Sequence, residues 1–384
     1  MVLHTTNNGI PGKYLVLLKP DIDLASIAAH YDKVHSIYTR NLSRSASIER
    51  RYKMSNFNGY AGSFDKATIK ELEALPEVLF VEQDHMMKAS AIVIQPNAPP
   101  GLAEISSRTS MPSTYVYDDS AGVGTFSYVV DSGIRTTHRE FGGRAIFGFN
   151  ALEGSTNNDV SGHGTHVAGI LGGTTYGVAK KTTLVAVKVL DKGSTLISTM
   201  ITGLLWAVND IEENNRIDTA VINISLCGPR SAFVAAAVGM ASILGVLIVA
   251  PSGNENEDAA YTVPCSSLEV ICVGNVILGR RAPHSNYRRA PDSNYGPAVN
   301  IFAPGTNVVS ADYRSDTGNV TLSGTSLAAP HVAGLVSYLR GREGPSTAAK
   351  VRARVYALGR KDVITDTKGS ENLLVCNNIT RIPA

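Results

Sequence analysis

Six short apolar runs recur along the C-terminal part of this chain, and they limit its possible folds more than any other feature. They are "GTFSYVVD" (124–131), "TTLVAVKVL" (182–190), "TAVINISL" (219–226), "GVLIVAPSG" (245–253), "EVICVGNV" (269–276) and "AVNIFAPG" (298–305). Between them lie stretches with helical spacing, such as "STMITGLLWAVNDIEEN" (198–214) and "AFVAAAVGMASIL" (232–244). Near-continuous apolar strands alternating with helices call for a parallel sheet covered on both faces, because each strand must bury both of its sides. The expected fold class is therefore α/β, a doubly wound and mostly parallel sheet. With 384 residues, 43% hydrophobic and 18% charged, the chain can fill such a core.

The first part reads differently. "KYLVLLKP" (13–20), residues 48–54, "NFNGYAGSF" (56–64) and "EVLFVEQDHMM" (77–87) suit strands, while 23–38 and 65–76 have helical periodicity. The order is βαββαβ, a small ferredoxin-like α+β domain. Small residues and prolines at 88–101 mark a linker. The expected domains are 1–90 and 91–384.

A net charge of +2 gives no electrostatic case for nucleic acid. The longest apolar run, 243–251, is too short to span a bilayer. Four cysteines (Cys227, Cys265, Cys272 and Cys376) contain no C-x-x-C pair, and a disulfide is neither demanded nor excluded. The N-terminus lacks the basic start and apolar core of a signal peptide, so either the true start is missing or the protein is not exported. Sequons at Asn41, Asn319 and Asn378 lean towards secretion.

Sites in such sheets gather at the carboxyl ends of strands. Asp131 ends a strand, where the plain alternative is a turn aspartate. "SGHGTHVAG" (161–169) places His163 at a helix start, with His166 three residues on. This is not the H-E-x-x-H of a zinc site, and no metal site is expected. At a helix N-terminus the dipole is expected to lower the histidine pKa and keep the ring neutral. His163 is then a base, and His166 a packed bystander. Ser326, in "LSGTSLAAPHVAGLVSYL" (322–339), is either a helix cap or a nucleophile whose own N–H points at a developing oxyanion. Pro330 is expected where a missing N–H costs little. Asn254 is placed to donate a second oxyanion hydrogen bond. Singly these signals are weak; together they make a serine hydroxyl, a base and an orienting carboxylate.

At this point the chain resembles the subtilisin-like serine proteases. "VVDSGI", "GHGTHVAG" and "SGTSLAAPHVAG" are similar to that family's three signature blocks. "APPGLAEISSR", "YGVAKKTTLVAVKVLD" and "NIFAPGTNVVS" resemble more narrowly its fungal proteinase K branch. The resemblance implies a subtilisin-like fold and a serine endopeptidase made as a self-cleaving zymogen. Asp131, His163 and Ser326 would be the triad and Asn254 the oxyanion donor. The first domain would be an inhibitory propeptide, cut off within residues 88–93. Substrate would lie extended between Gly193, Ser194, Thr195 and Leu196 on one edge and Ser225, Leu226, Cys227 and Gly228 on the other, with apolar residues preferred.

Several positions depart from the branch. Cys227 stands where glycine is usual, which narrows the primary pocket or puts a thiol beside it. The branch's calcium-binding aspartate reads Asn300, which brings no charge, with Glu269 as the compensating carboxylate. The chemistry implies no cofactor, and a structural calcium is not expected to be tight. Cys272 aligns with a branch cysteine whose partner position reads Arg352. Pro251 and Ser252 alter the pocket wall. The expected partners are a protein or peptide substrate and the chain's own propeptide, with neither nucleic acid nor membrane, and a monomer is expected. The resemblance points to extracellular work, and a vacuolar or intracellular processing protease and a silent binding scaffold are the rivals.

Overall fold

The computed structural model describes residues 9–40, 46–85, 92–106, 113–278 and 287–379. The chain divides into two units, Met1–Ala89 and Ser90–Ala384.

The first unit runs β1 (Gly9–Leu18), α1 (Leu24–Arg40), β2 (Ser47–Met54), β3 (Phe57–Ser63), α2 (Lys66–Glu73) and β4 (Val78–His85). Asp65 starts α2 by accepting the Thr68 N–H at 2.7 Å. The sheet is antiparallel in the order β2-β3-β1-β4. Val16, Leu18, Val34, Ile37, Tyr60, Leu72 and Val81 fill its core. This is the ferredoxin-like arrangement that the periodicity predicts.

The second unit continues with β5 (Ile92–Pro96), α3 (Pro100–Ser106), β6 (Thr114–Asp118), β7 (Phe126–Asp131), β8 (Ala145–Asn150), α4 (His163–Gly172), β9 (Thr183–Lys188), α5 (Ile197–Glu213), β10 (Ala220–Ile224), β11 (Gly228–Pro229), α6 (Ala232–Ile243), β12 (Leu247–Pro251), β13 (Thr262–Val263), β14 (Ile271–Ile277), β15 (Tyr287–Arg289), β16 (Ile301–Pro304), β17 (Val308–Ala311), β18 (Asn319–Leu322), α7 (Thr325–Glu343) and α8 (Ala348–Leu358). Seven strands pair in parallel in the order β8-β9-β7-β10-β12-β14-β16. Side chains alternate between two cores. Val129 joins the layer of α4 and α7, while Tyr128 and Val130 face the layer of α5 and α6. Helix α7 is buried nearly all round, which explains its uninterrupted small and apolar residues. β7 lies between β9 and β10, so the strand order reverses there and a crevice opens beyond its carboxyl end. Among the described residues no helix is long and apolar enough to cross a membrane.

One expectation is corrected and one open point is resolved. The predicted linker is in part ordered structure: residues 92–96 pair antiparallel with β6, and Pro100 opens α3. The β-branched run Ile92-Val93-Ile94 supplies the strand preference. Of the expected cleavage segment, 88–91 lies outside the described residues, as does Asn41. The open point concerns cross-linking. Cys272 bonds to Cys265, seven residues away, and the Arg352 guanidinium instead donates to the Glu269 carbonyl. In an inactive Ser326→Ala background, replacing both Cys265 and Cys272 by alanine should lower stability by about 2–3 kcal/mol, the chain-entropy value for a short loop. Thermal denaturation reads this directly, and an unchanged Tm would mean the bridge contributes nothing.

Candidate active site

A carboxylate left alone inside the sheet would be costly, and Asp131 is fully buried at the end of β7. It is satisfied locally by the Ser132 N–H at 2.7 Å and by His163, whose Nδ1 lies 2.9 Å from both carboxylate oxygens. His163 is the first residue of α4. With its Nδ1–H donated to Asp131, the ring presents Nε2 as an acceptor, and Ser326 Oγ stands 3.1 Å from it. Three side chains from β7, α4 and α7 thus form one continuous hydrogen-bonded line.

The electrostatics correct one expectation. Burial, the largest single influence, pushes His163 towards its neutral form. The charge and hydrogen bond of Asp131, with the charge of Asp159, more than offset it, and the pKa ends above the usual 6.5. The helix dipole therefore does not set the sign. His166, one turn along, is fully buried with Nε2 3.1 Å from the carbonyls of Val308 and Val320, and burial lowers its pKa to about 4.

Ser326 is the second residue of α7, a position whose N–H no intrahelical carbonyl can reach. Pro330 lies past the first turn, so its missing N–H leaves the Ser326 carbonyl without its helical partner. The Ser225 hydroxyl fills that gap, donating to the Ser326 carbonyl at 2.8 Å, and is itself held by Asn223 Nδ2 at 2.8 Å. Neither link was foreseen from sequence; the proline four residues after the serine was the available signal.

Asn254 lies beyond the end of β12. Its Oδ1 accepts the Thr325 N–H at 2.8 Å and the Thr325 hydroxyl at 3.0 Å. A backbone N–H can only donate, so the amide orientation is fixed and Nδ2 is left as a donor. A Cβ built on Gly324 would stand 3.4 Å from Ser326 Oγ and 3.8 Å from Asn254 Nδ2. The two atoms therefore flank one small space that a side chain at 324 would fill.

The expected edges are only partly free. Residues 193–196 are not paired as a strand: Gly193 sits in a bend with φ +72°, and Leu196 is extended and 71% exposed. Ser194 and Thr195 lie between them, with the Thr195 hydroxyl donating to the Val189 carbonyl. On the other side Ser225, Leu226 and Cys227 are unpaired, but Gly228 already pairs with Val263. Cys227 is an exposed free thiol by residue, yet crowding around its sulfur, then the charge of Glu255, pushes its pKa up to about 12. Ser252 is buried behind Pro251. At the position that the resemblance gives to calcium, Asn300 Oδ1 accepts the Cys272 N–H at 2.8 Å, and the Arg352 guanidinium donates to the Glu269 backbone carbonyl. Among the described residues no group of three or more His, Cys, Asp or Glu could hold a metal.

Comparison with known families decides the kinship. The Subtilase family profile matches residues 124–367 and the Peptidase inhibitor I9 profile matches residues 13–90. The chain belongs to the subtilase family. This subtilase is 44% identical to alkaline protease 1 of Aspergillus clavatus, over 97% of this chain and 93% of that protein. It is 42% identical to the alkaline proteinase of Hapsidospora chrysogena, covering 96% and 92%. The crystal structure of a cold-adapted subtilisin-like serine proteinase, 34% identical, superposes with a TM-score of 0.66 over 73% of this chain and 98% of the other. The subtilase is thus a serine endopeptidase carrying an inhibitor-type propeptide. NMR titration of the inactive Ser326→Ala protein should give His163 a pKa above 6.5, with His166 near 4 as an internal reference. Asp131→Asn should lower the His163 value, because it removes the negative charge that favours imidazolium; an unmoved value would contradict the pairing.

Proposed function

We propose that this subtilase hydrolyses peptide bonds through a Ser326 acyl-enzyme and is made as a zymogen that cuts itself within residues 88–93. The observation that carries the reading is His163, 2.9 Å from Asp131 on one side and 3.1 Å from Ser326 on the other.

Ser326 Oγ attacks the substrate carbonyl carbon as its proton passes to His163 Nε2. Asp131 stabilises the imidazolium so formed and holds the tautomer. The carbonyl oxygen, now negative, takes hydrogen bonds from the Ser326 N–H and Asn254 Nδ2. Collapse of this intermediate breaks the C–N bond, and His163 returns the proton to the leaving amine. Water repeats the sequence in reverse to release the acid. Because His163 must be unprotonated to act and its pKa is raised, activity rises as pH increases through that value. This accords with an alkaline working range, as the relatives' names state for them.

The unpaired backbone at 193–196 and 225–227 supports extended binding of substrate by main-chain pairing. Exposed Leu196 and Ile197 favour an apolar substrate residue upstream of the cut. Cys227 narrows the primary pocket, so slimmer residues are preferred there. The Cys265–Cys272 bridge supports action in an oxidising, extracellular compartment.

A fluorophosphonate probe should label the wild type and not Ser326→Ala; equal labelling of both would defeat the proposal. Asn254→Ala should reduce kcat about 10²–10³-fold, a magnitude carried over from the corresponding donor of subtilisin. Cys227→Gly should raise turnover of substrates with bulky aromatic residues at the cut, and identical turnover would count against the narrowed pocket.

A further inference from the structure

Asp159 stands four residues before His163 and is only 6% exposed. Its carboxylate accepts five donors. Oδ1 takes the Ser132 hydroxyl at 2.8 Å and the N–H groups of Ser161 and Gly162 at 3.0 and 2.7 Å. Oδ2 takes the N–H and hydroxyl of Thr165 at 2.9 and 2.6 Å. Gly162, the residue at the cap of α4, has no side chain to satisfy the first turn, so Asp159 does this from outside the helix.

The donors come from both sides of the site. Ser132 follows Asp131, and its hydroxyl also accepts the Gly164 N–H at 2.9 Å. The Arg135 N–H donates to the Thr165 hydroxyl at 2.9 Å. From beneath, the buried ammonium of Lys188 donates to the carbonyls of Ser132 and Asn158 at 3.2 and 2.8 Å. The fit is close: a Cβ on Gly164 would fall 2.2 Å from the Gly133 carbonyl oxygen.

We propose that Asp159 is a positioning residue for the catalytic base, fixing the first turn of α4 against the loop that carries Asp131. The inference rests on the reading of His163 as that base. Asp159 also acts by charge. The charged and titratable groups that act on the imidazole are Asp131 on β7, Asp159 before α4 and His166 one turn along, and His166 is held neutral. The two carboxylates favour the imidazolium formed when the serine proton is taken.

Steady-state kinetics of the mature enzyme from full-length wild type and Asp159→Asn, across pH, test this. The amide would turn an NH₂ towards at least one backbone N–H, which can only donate. The expected result is a fall in kcat of about 10-fold or more, since small misplacements are costly. KM should stay near the wild-type value and the acid limb of kcat/KM should move to lower pH. A variant with wild-type kcat and acid limb overturns the inference. So does a lowered kcat with an unmoved acid limb, which would make Asp159 a helix cap alone. Should Asp159→Asn fail to fold, Ser132→Ala removes one strut and keeps the charge. It should lower kcat several-fold at an unchanged acid limb, and a wild-type kcat there overturns the inference. An inactive wild type would instead overturn the reading of the site itself.

Discussion

A carboxylate at the end of a buried strand is costly without hydrogen-bond partners, and the second unit is arranged so that Asp131 has them. The need to pair that carboxylate places the first turn of α4 against the β7 loop and turns the His163 ring so that its other nitrogen faces outward. α7, packed in the same layer as α4, then brings Ser326 up to that nitrogen. The reversal of strand order beside β7 opens the space in which these elements meet. The charge and the topology depend on each other, since neither a free loop nor an uninterrupted sheet would hold the three groups in line.

Ser326 is held as firmly as His163. Proline in the second turn of α7 withdraws a helical hydrogen bond from the Ser326 carbonyl, and the Ser225 hydroxyl at the end of β10 restores it. The unpaired stretch 225–227 is thereby tied to the backbone of Ser326. Asn254 is oriented by Thr325, the residue before Ser326. The loop bearing Asn254 is further fixed by buried Asn294, whose Oδ1 accepts the N–H groups of Glu255 and Glu257 at 3.0 and 2.9 Å. Ser225, Asn254 and Ser326 are in this way parts of one hydrogen-bonded assembly.

The fold was legible in sequence wherever burial is two-sided. All six apolar runs became neighbouring parallel strands, because a strand covered on both faces has little room for polar residues. Edge strands such as β8, β17 and β18 carry mixed residues and escaped notice. So did β5, hidden among small residues and prolines. Asp131, His163 and Ser326 were legible because each sits at an element boundary with its own glycine. What stayed hidden depends on distance along the chain. The Ser225 link spans 101 residues, and the Asp159–Ser132 link ties two loops 27 apart. The sign of the His163 shift also depended on a balance between burial and nearby carboxylates, which no local pattern reveals. The cysteines gave no pairing in sequence because Arg352 replaced the familiar partner, while Cys265 was near enough in space to serve.

The central claim is that these groups stabilise an oxyanion formed on Ser326. A high-resolution crystal structure of the mature enzyme with a peptide aldehyde or boronate tests it most directly. The account predicts a tetrahedral adduct on Ser326 Oγ, with one oxygen within hydrogen-bond distance of both the Ser326 N–H and Asn254 Nδ2. An adduct on another residue, or an oxygen turned away from Asn254 into solvent, would contradict it.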